Sequence, residues 1–126
     1  MSTRATYQFI DEYNDVTVYK HHDGYPEGGL QWIAKSIPYA WSLPRFEASD
    51  FGAAFVAANK LEGGGDVQLT KDRHSHADTE YHYIVRGIYG VIWVVIENLW
   101  SDDIDCDEYD TLDHLLDKYA PKREWV

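Results

Sequence analysis

Apolar and polar residues alternate along the first part of the chain, the period of a strand with one buried face. Tyr7 and Phe9 alternate with Thr6, Gln8 and Ile10, Glu12-Tyr13-Asn14-Asp15 supplies turn chemistry, and Val16 to His21 alternates again. Residues 3–22 therefore read as a β-hairpin. Asp23-Gly24-Tyr25-Pro26-Glu27-Gly28-Gly29 is a break, and a short helix follows with Leu30, Ile33 and Ile37, stopped by Pro38. The period then becomes that of a longer helix, with Phe51, Ala54, Phe55, Ala58 and Leu61 on one face. Ser49 is placed as its N-cap, Asp50 suits its first turn, and Gly63-Gly64-Gly65 ends it. Gly52, Ala53, Ala54, Ala57 and Ala58 make this helix slim enough to lie close on a sheet.

Strand patterns return at Val67 to Thr70, Thr79 to Val85 and Val91 to Ile96, with Gly87 and Gly90 at the turn between the last two. Val91 to Ile96 is apolar on both faces, which predicts a central, covered strand. A final helix is expected around Tyr109 to Tyr119, carrying Leu112, Leu115, Leu116 and Tyr119 on one face and closed by Pro121. The order is ββααβββα. Strands and helices in blocks predict an α+β fold, an antiparallel sheet of about five strands with helices packed on one face. Residues 1–126 are read as one domain.

Composition narrows the class. A hydrophobic share of 44% and an aromatic share of 15% are enough to build a core, which argues against disorder. The lone cysteine, Cys106, allows no internal disulfide. The longest apolar run, Val91 to Ile96, is too short to span a bilayer, and the opening residues lack a signal-peptide pattern, so a cytoplasmic protein is expected. With 11 Lys and Arg against 22 Asp and Glu, the net charge is −11. That balance disfavours nucleic acid and anionic membranes and favours a basic protein surface or a small ligand. The surplus of Trp and Tyr leaves a homo-oligomer open.

The most pointed chemistry is His74-Ser75-His76-Ala77-Asp78-Thr79-Glu80-Tyr81-His82. Imidazoles and carboxylates ligate Zn and other divalent transition metals. If the segment is extended throughout, His74, His76, Asp78, Glu80 and His82 share one face. The spacing H-x-H-x3-E-x6-G resembles the first metal motif of the cupins, small β-barrels. The resemblance implies His74, His76 and Glu80 as ligands and Gly87 at the following turn; His82 is a further candidate ligand from the residues themselves. It departs from that family at Gln68, where a glycine is expected, and in lacking the second motif.

The opening Met1-Ser2-Thr3-Arg4-Ala5-Thr6 and the turn His21-His22-Asp23-Gly24-Tyr25-Pro26 resemble a family of short uncharacterised phage and prophage proteins. Ala57-Ala58-Asn59-Lys60 and Asp78-Thr79-Glu80-Tyr81 add to the likeness, which implies a mobile-element origin and no particular chemistry. Beside that turn, His21, His22, Asp23 and Tyr25 are candidates for a polar-aromatic ligand pocket. From Gly87 to Asp117 the chain has no Lys or Arg. Asp102, Asp103, Asp105, Asp107, Glu108, Asp110, Asp113 and Asp117 are candidates for a partner surface that imitates DNA phosphates.

Together these features predict a non-enzymatic binding protein of phage type that needs no cofactor. It would act as an anti-defence inhibitor, through its acidic surface or by sequestering a small nucleotide signal. Nucleotide capture requires some of Arg4, Lys20, Lys35 or Arg45 to converge on aromatic rings. The alternative is a small cupin-like metalloprotein or metalloenzyme built on His74, His76, Glu80 and His82.

Overall fold

The N-terminal alternation closes into a hairpin of β1 (Arg4–Ile10) and β2 (Asp15–Lys20), with Tyr7 opposite Val18. The computed structural model describes residues 3–60, 66–76, 78–100 and 107–121. After the hairpin come α1 (Pro26–Ser36), a 3₁₀ turn (Ile37–Tyr39), α2 (Ala48–Asn59), β3 (Val67–Thr70), β4 (Thr79–Ile88), β5 (Val91–Asn98), β6 (Glu108–Thr111) and α3 (Leu112–Tyr119). The fold is α+β, with one six-stranded sheet in the order β3-β2-β1-β4-β5-β6. Among the described residues, no helix is long and apolar enough to cross a membrane.

The helices cover one face of this sheet. Tyr7, Phe9, Val18, Tyr83, Val85, Val94 and Ile96 point from the strands into a core shared with Leu30 and Ile33 of α1, Phe51 and Phe55 of α2, and Leu115 and Leu116 of α3. Aromatic rings dominate its centre: Tyr7 and Tyr83 stack at 4.9 Å, and Phe55 leans on Tyr7 at 4.6 Å. The expected slimness of α2 is realised at Gly52, where an added Cβ would lie 3.1 Å from Val16.

Four local expectations are corrected. The sheet is mixed, because β1 and β4 run parallel while the other pairs are antiparallel. A sixth strand, β6, occupies residues assigned to the start of the last helix; there Tyr109 packs on Trp93 of β5 at 5.1 Å, and pairing with β5 outweighs helix propensity. Helix α1 begins at Pro26, inside the expected break. Proline suits the first helical position, and Gly29 is tolerated because an added Cβ would meet the Tyr83 hydroxyl at 2.5 Å. Ser49 is not the cap of α2: Asp11, in the β1–β2 turn, accepts from the Ala48 backbone N–H at 2.7 Å and caps the helix from a distance.

The strand apolar on both faces, β5, lies inside the sheet but, among the described residues, helices cover it on one side only. Ile92, Val94 and Ile96 are buried, whereas Val91, Trp93 and Val95 face the side without helices and are partly or fully exposed. Leu61 and Gly63-Gly64-Gly65, expected to finish α2, lie outside the described residues.

The two stacked tyrosines differ in how their hydroxyls are satisfied. Tyr83 donates to the Gly24 carbonyl at 2.5 Å, whereas the buried Tyr7 hydroxyl has no hydrogen-bond partner among the described residues. Removing a satisfied buried donor strands its acceptor, while removing an orphan relieves a desolvation penalty. Tyr83→Phe is therefore expected to lower unfolding free energy by about 1–2 kcal/mol, and Tyr7→Phe to leave it unchanged or raise it by up to about 1 kcal/mol. Denaturant titration of the two variants checks the opposite signs.

Candidate ligand-binding site

Strand alternation sets a second group of side chains on the face away from the helices: Thr6 and Gln8 of β1, Thr17 and Tyr19 of β2, His82 of β4 and Glu97 of β5. The connection between β3 and β4 crosses this face. It leaves the sheet edge after Thr70, passes β2 and β1, and enters β4 at Thr79. Contacts along its length pin it down. Arg73 pairs with Glu97, the His76 ring stacks on Tyr19 with centroids 3.8 Å apart, and Asp78 accepts from Arg4 at 2.6 Å.

Beneath the crossover a relay of hydrogen bonds runs from strand to strand. Both oxygens of Asp15 accept from the Gln8 amide nitrogen, at 2.9 and 2.8 Å. That fixes the amide and turns its oxygen toward His82, whose Nε2 lies 2.8 Å away and so carries the proton. Nδ1 of His82 is then an acceptor, and the Thr6 hydroxyl donates to it at 2.7 Å. Burial pushes the His82 pKa down to about 4, with the positive charge of Arg73 and then His74 adding to the effect. The ring is a neutral structural link with both nitrogens committed.

At the β1 end of the same face, Arg4 Nε and the Tyr19 hydroxyl both reach His21 Nδ1, at 3.2 and 2.8 Å. His22 meets the His21 ring edge-on at 4.7 Å. Burial, followed by the charges of Arg4 and His22, lowers the His21 pKa. At the other end of this face, toward the β1–β2 turn, opens a cleft of about 390 Å³, floored by Gln8, Asp15 and Thr17 and walled by residues 71–74. That size falls in the range of small-molecule sites. The carboxylates around the cleft are already engaged: Asp78 by Arg4, Glu97 by Arg73, Asp15 by Gln8, and Asp72 by the His74 N–H and the Ser75 hydroxyl. Lys71 lines the opening, and His74 Nε2 accepts from Arg73 Nε at 3.5 Å.

The sequence-derived sites therefore regroup. His21, His22 and His76, assigned to two separate features, belong to one cluster with Arg4 and Tyr19. Asp23 and Tyr25 sit apart, at the entrance to α1: Asp23 adopts φ 57° and its carbonyl accepts from Trp32 Nε1 at 3.1 Å, while the charge of Asp23 raises the Tyr25 pKa. His74, His76, Glu80 and His82 do not share an extended face, because residues 71–76 bend and the strand starts at Thr79. Among the described residues no group of three or more His, Cys, Asp or Glu is placed to hold a metal. The open, helix-backed sheet also differs from a cupin barrel.

Of the acidic set, Asp102, Asp103 and Asp105 lie outside the described residues. Glu108 accepts from Lys118 and Tyr119, and Asp110 accepts from the Thr111 N–H and pairs with His114. Asp107, Asp113 and Asp117 are exposed. The cations proposed for nucleotide capture do not converge as a group: Lys20 and Lys35 lie over Trp32 at 4.4 and 4.6 Å, and Arg45 over Trp41 at 3.8 Å. Arg4 lies on the open face with His21 and Asp78, away from the cleft, which is lined instead by Lys71 and Arg73, residues passed over in the sequence. The readable sign of this face was the polar half of the strand alternation, Thr6, Gln8, Thr17 and Tyr19.

The pKa of His82 sets a stability test. Its folded value, about 4, lies below the ordinary 6.5, so between those values the unfolded chain binds a proton that the native state refuses. This contribution is complete above about pH 6.5 and is lost as pH falls toward 4, amounting to about 3 kcal/mol. Unfolding free energies measured at several pH values are expected to fall less steeply across that window in His82→Gln than in the wild type. No protein-family model, curated protein or solved structure matches the chain.

Proposed function

We propose that this is a non-enzymatic binding protein that captures a small anionic ligand of the nucleotide class in the cleft under the β3–β4 crossover. The observation that carries this reading is the cleft itself: about 390 Å³, with its carboxylates hydrogen-bonded and the cations Lys71 and Arg73 on its wall. Phosphate groups match such donors. Binding rather than proton transfer fits His82, whose two nitrogens are spoken for by Thr6 and Gln8. In a protein of phage type, sequestering such a signal would act against host defence.

Binding of a basic protein surface is a second reading. It is favoured by the exposed Asp113 and Asp117 one turn apart on α3 and by the net charge of −11. It is weakened by Lys118, which already pairs with Glu108, and by His114, which already hydrogen-bonds Asp110.

Isothermal titration with inorganic phosphate, AMP, ATP and a cyclic dinucleotide separates the two. At least one nucleotide is expected to bind with micromolar affinity, about tenfold more weakly in Lys71→Ala, with added salt weakening it further. Asp113→Asn with Asp117→Asn is expected to leave that affinity unchanged. Absence of binding by all four probes to the folded protein refutes ligand capture.

A further inference from the structure

Two anchors of the β3–β4 crossover lead to the same atom. His76 stacks on the Tyr19 ring, and the Tyr19 hydroxyl reaches His21 Nδ1 at 2.8 Å. Asp78 pairs with Arg4 Nη1 at 2.6 Å, and Arg4 Nε reaches that same Nδ1 at 3.2 Å. Anchors carried by two different strands thus meet at one imidazole nitrogen.

That meeting requires one protonation state. A guanidinium has donors only, so the Arg4 Nε–H donates and Nδ1 holds a lone pair. Burial raises the Tyr19 pKa, so its hydroxyl keeps the proton and donates as well. The neutral His21 ring therefore carries its proton on Nε2. A proton on Nδ1 turns the acceptor into a donor and sets an imidazolium against the Arg4 guanidinium at 3.2 Å. The Tyr19 hydroxyl can rotate to accept, but the guanidinium cannot. Relief comes only when Arg4 moves, and its hold on Asp78 moves with it.

The surroundings of His21 disfavour the charged ring. Arg4 comes from β1, Tyr19 from β2 and His22 from the turn that follows, and none of them is an anion. Before β3, the Asp66 carbonyl accepts from the His21 N–H at 2.8 Å, while the Asp66 carboxylate, which favours the charged ring, is bound to Lys20 at 2.8 Å. On the crossover, the Asp78 carboxylate is held by Arg4, and His76 lies on Tyr19. Burial first, then Arg4 and His22, bring the His21 pKa below its ordinary 6.5. A state in which Arg4 has swung away binds the proton more tightly, so falling pH favours that state. Acid acts oppositely on His76, because a cation on a tyrosine face is attracted to it. We propose that His21 is an acid-sensitive clasp, whose protonation releases Arg4 and frees the Asp78 end of the crossover while the His76–Tyr19 stack holds.

Nitrogen–proton NMR of the imidazole rings and of Arg4, from about pH 8 to about pH 5, tests this. That range stays above the value of about 4 at which His82 titrates. Wild-type His21 is expected as the Nε2–H tautomer at neutral pH, with a midpoint below 6.5. The Arg4 Nε–H resonance is expected to move to its free-arginine position with that same midpoint. Arg4→Met removes the repelling charge, so the His21 midpoint is expected to rise toward 6.5. His21→Gln supplies an acceptor that does not titrate, so the Arg4 resonance is expected to hold its position down to about pH 5. A neutral His21 with its proton on Nδ1 overturns the clasp. So does an Arg4 resonance that shifts at the same pH in His21→Gln as in the wild type. The tautomer is read on the wild-type chain, so the test survives a variant that fails to fold.

Discussion

The crossing from β3 to β4 is the constraint on which this molecule turns. Strands β1, β2 and β3 are laid side by side, and β4 must then find the free edge of β1. The connection has only residues 71–78 to pass over two strands. Helices already occupy one face, so the short segment lies flat across the other. A bare peptide on a sheet face would leave polar groups unsatisfied, and the strand residues beneath answer that need. Glu97 receives Arg73, Tyr19 receives His76, and the Asp15–Gln8–His82–Thr6 relay ties the strands together below. The cleft follows from this arrangement, because a polar strap over polar strands cannot pack as tightly as a core.

The same crossing redistributes charge. The chain holds twice as many acids as bases, yet Arg4, Lys71, Arg73 and five of the six histidines lie on or under the open face. The acidic run that ends at Asp117 is not a bare stripe, since Lys118 returns to Glu108 and His114 to Asp110. Exposed pairs of this kind contribute little stability, but they lower the density of free carboxylates. The molecule thus presents a mixed polar face, an acidic flank on α3 and an apolar end at the β4–β5 turn.

Much of the frame was readable in the sequence. The hairpin is stated by the alternation around Tyr7 and Phe9, and α2 by the spacing of Phe51, Ala54, Phe55 and Ala58, because both periods reflect burial against one core. What could not be read depends on contacts between distant segments. The parallel pairing of β1 with β4 leaves no local mark. Glu108 to Thr111 looks helical until Tyr109 has Trp93 beside it, and Gly28-Gly29 looks like a break until Tyr83 fills the space above Gly29. The histidines were visible as ligand types, but an extended reading of residues 74–82 put them on one face. The bend before Thr79 instead sends His76 to Tyr19 and leaves His82 in the sheet. The apolar outer face of β5 was read as a sign of cover, and only half of that cover exists among the described residues.

The central claim is that residues 71–76 and Asp78 lie pinned on the open face. Proton NMR of the aromatic side chains at neutral pH tests it most directly. Stacking of His76 on Tyr19 at 3.8 Å requires ring-to-ring cross-relaxation peaks and upfield-shifted His76 ring protons. His76 resonances at free-peptide positions, with no cross-peak to Tyr19, would contradict the strapped face and the cleft built on it.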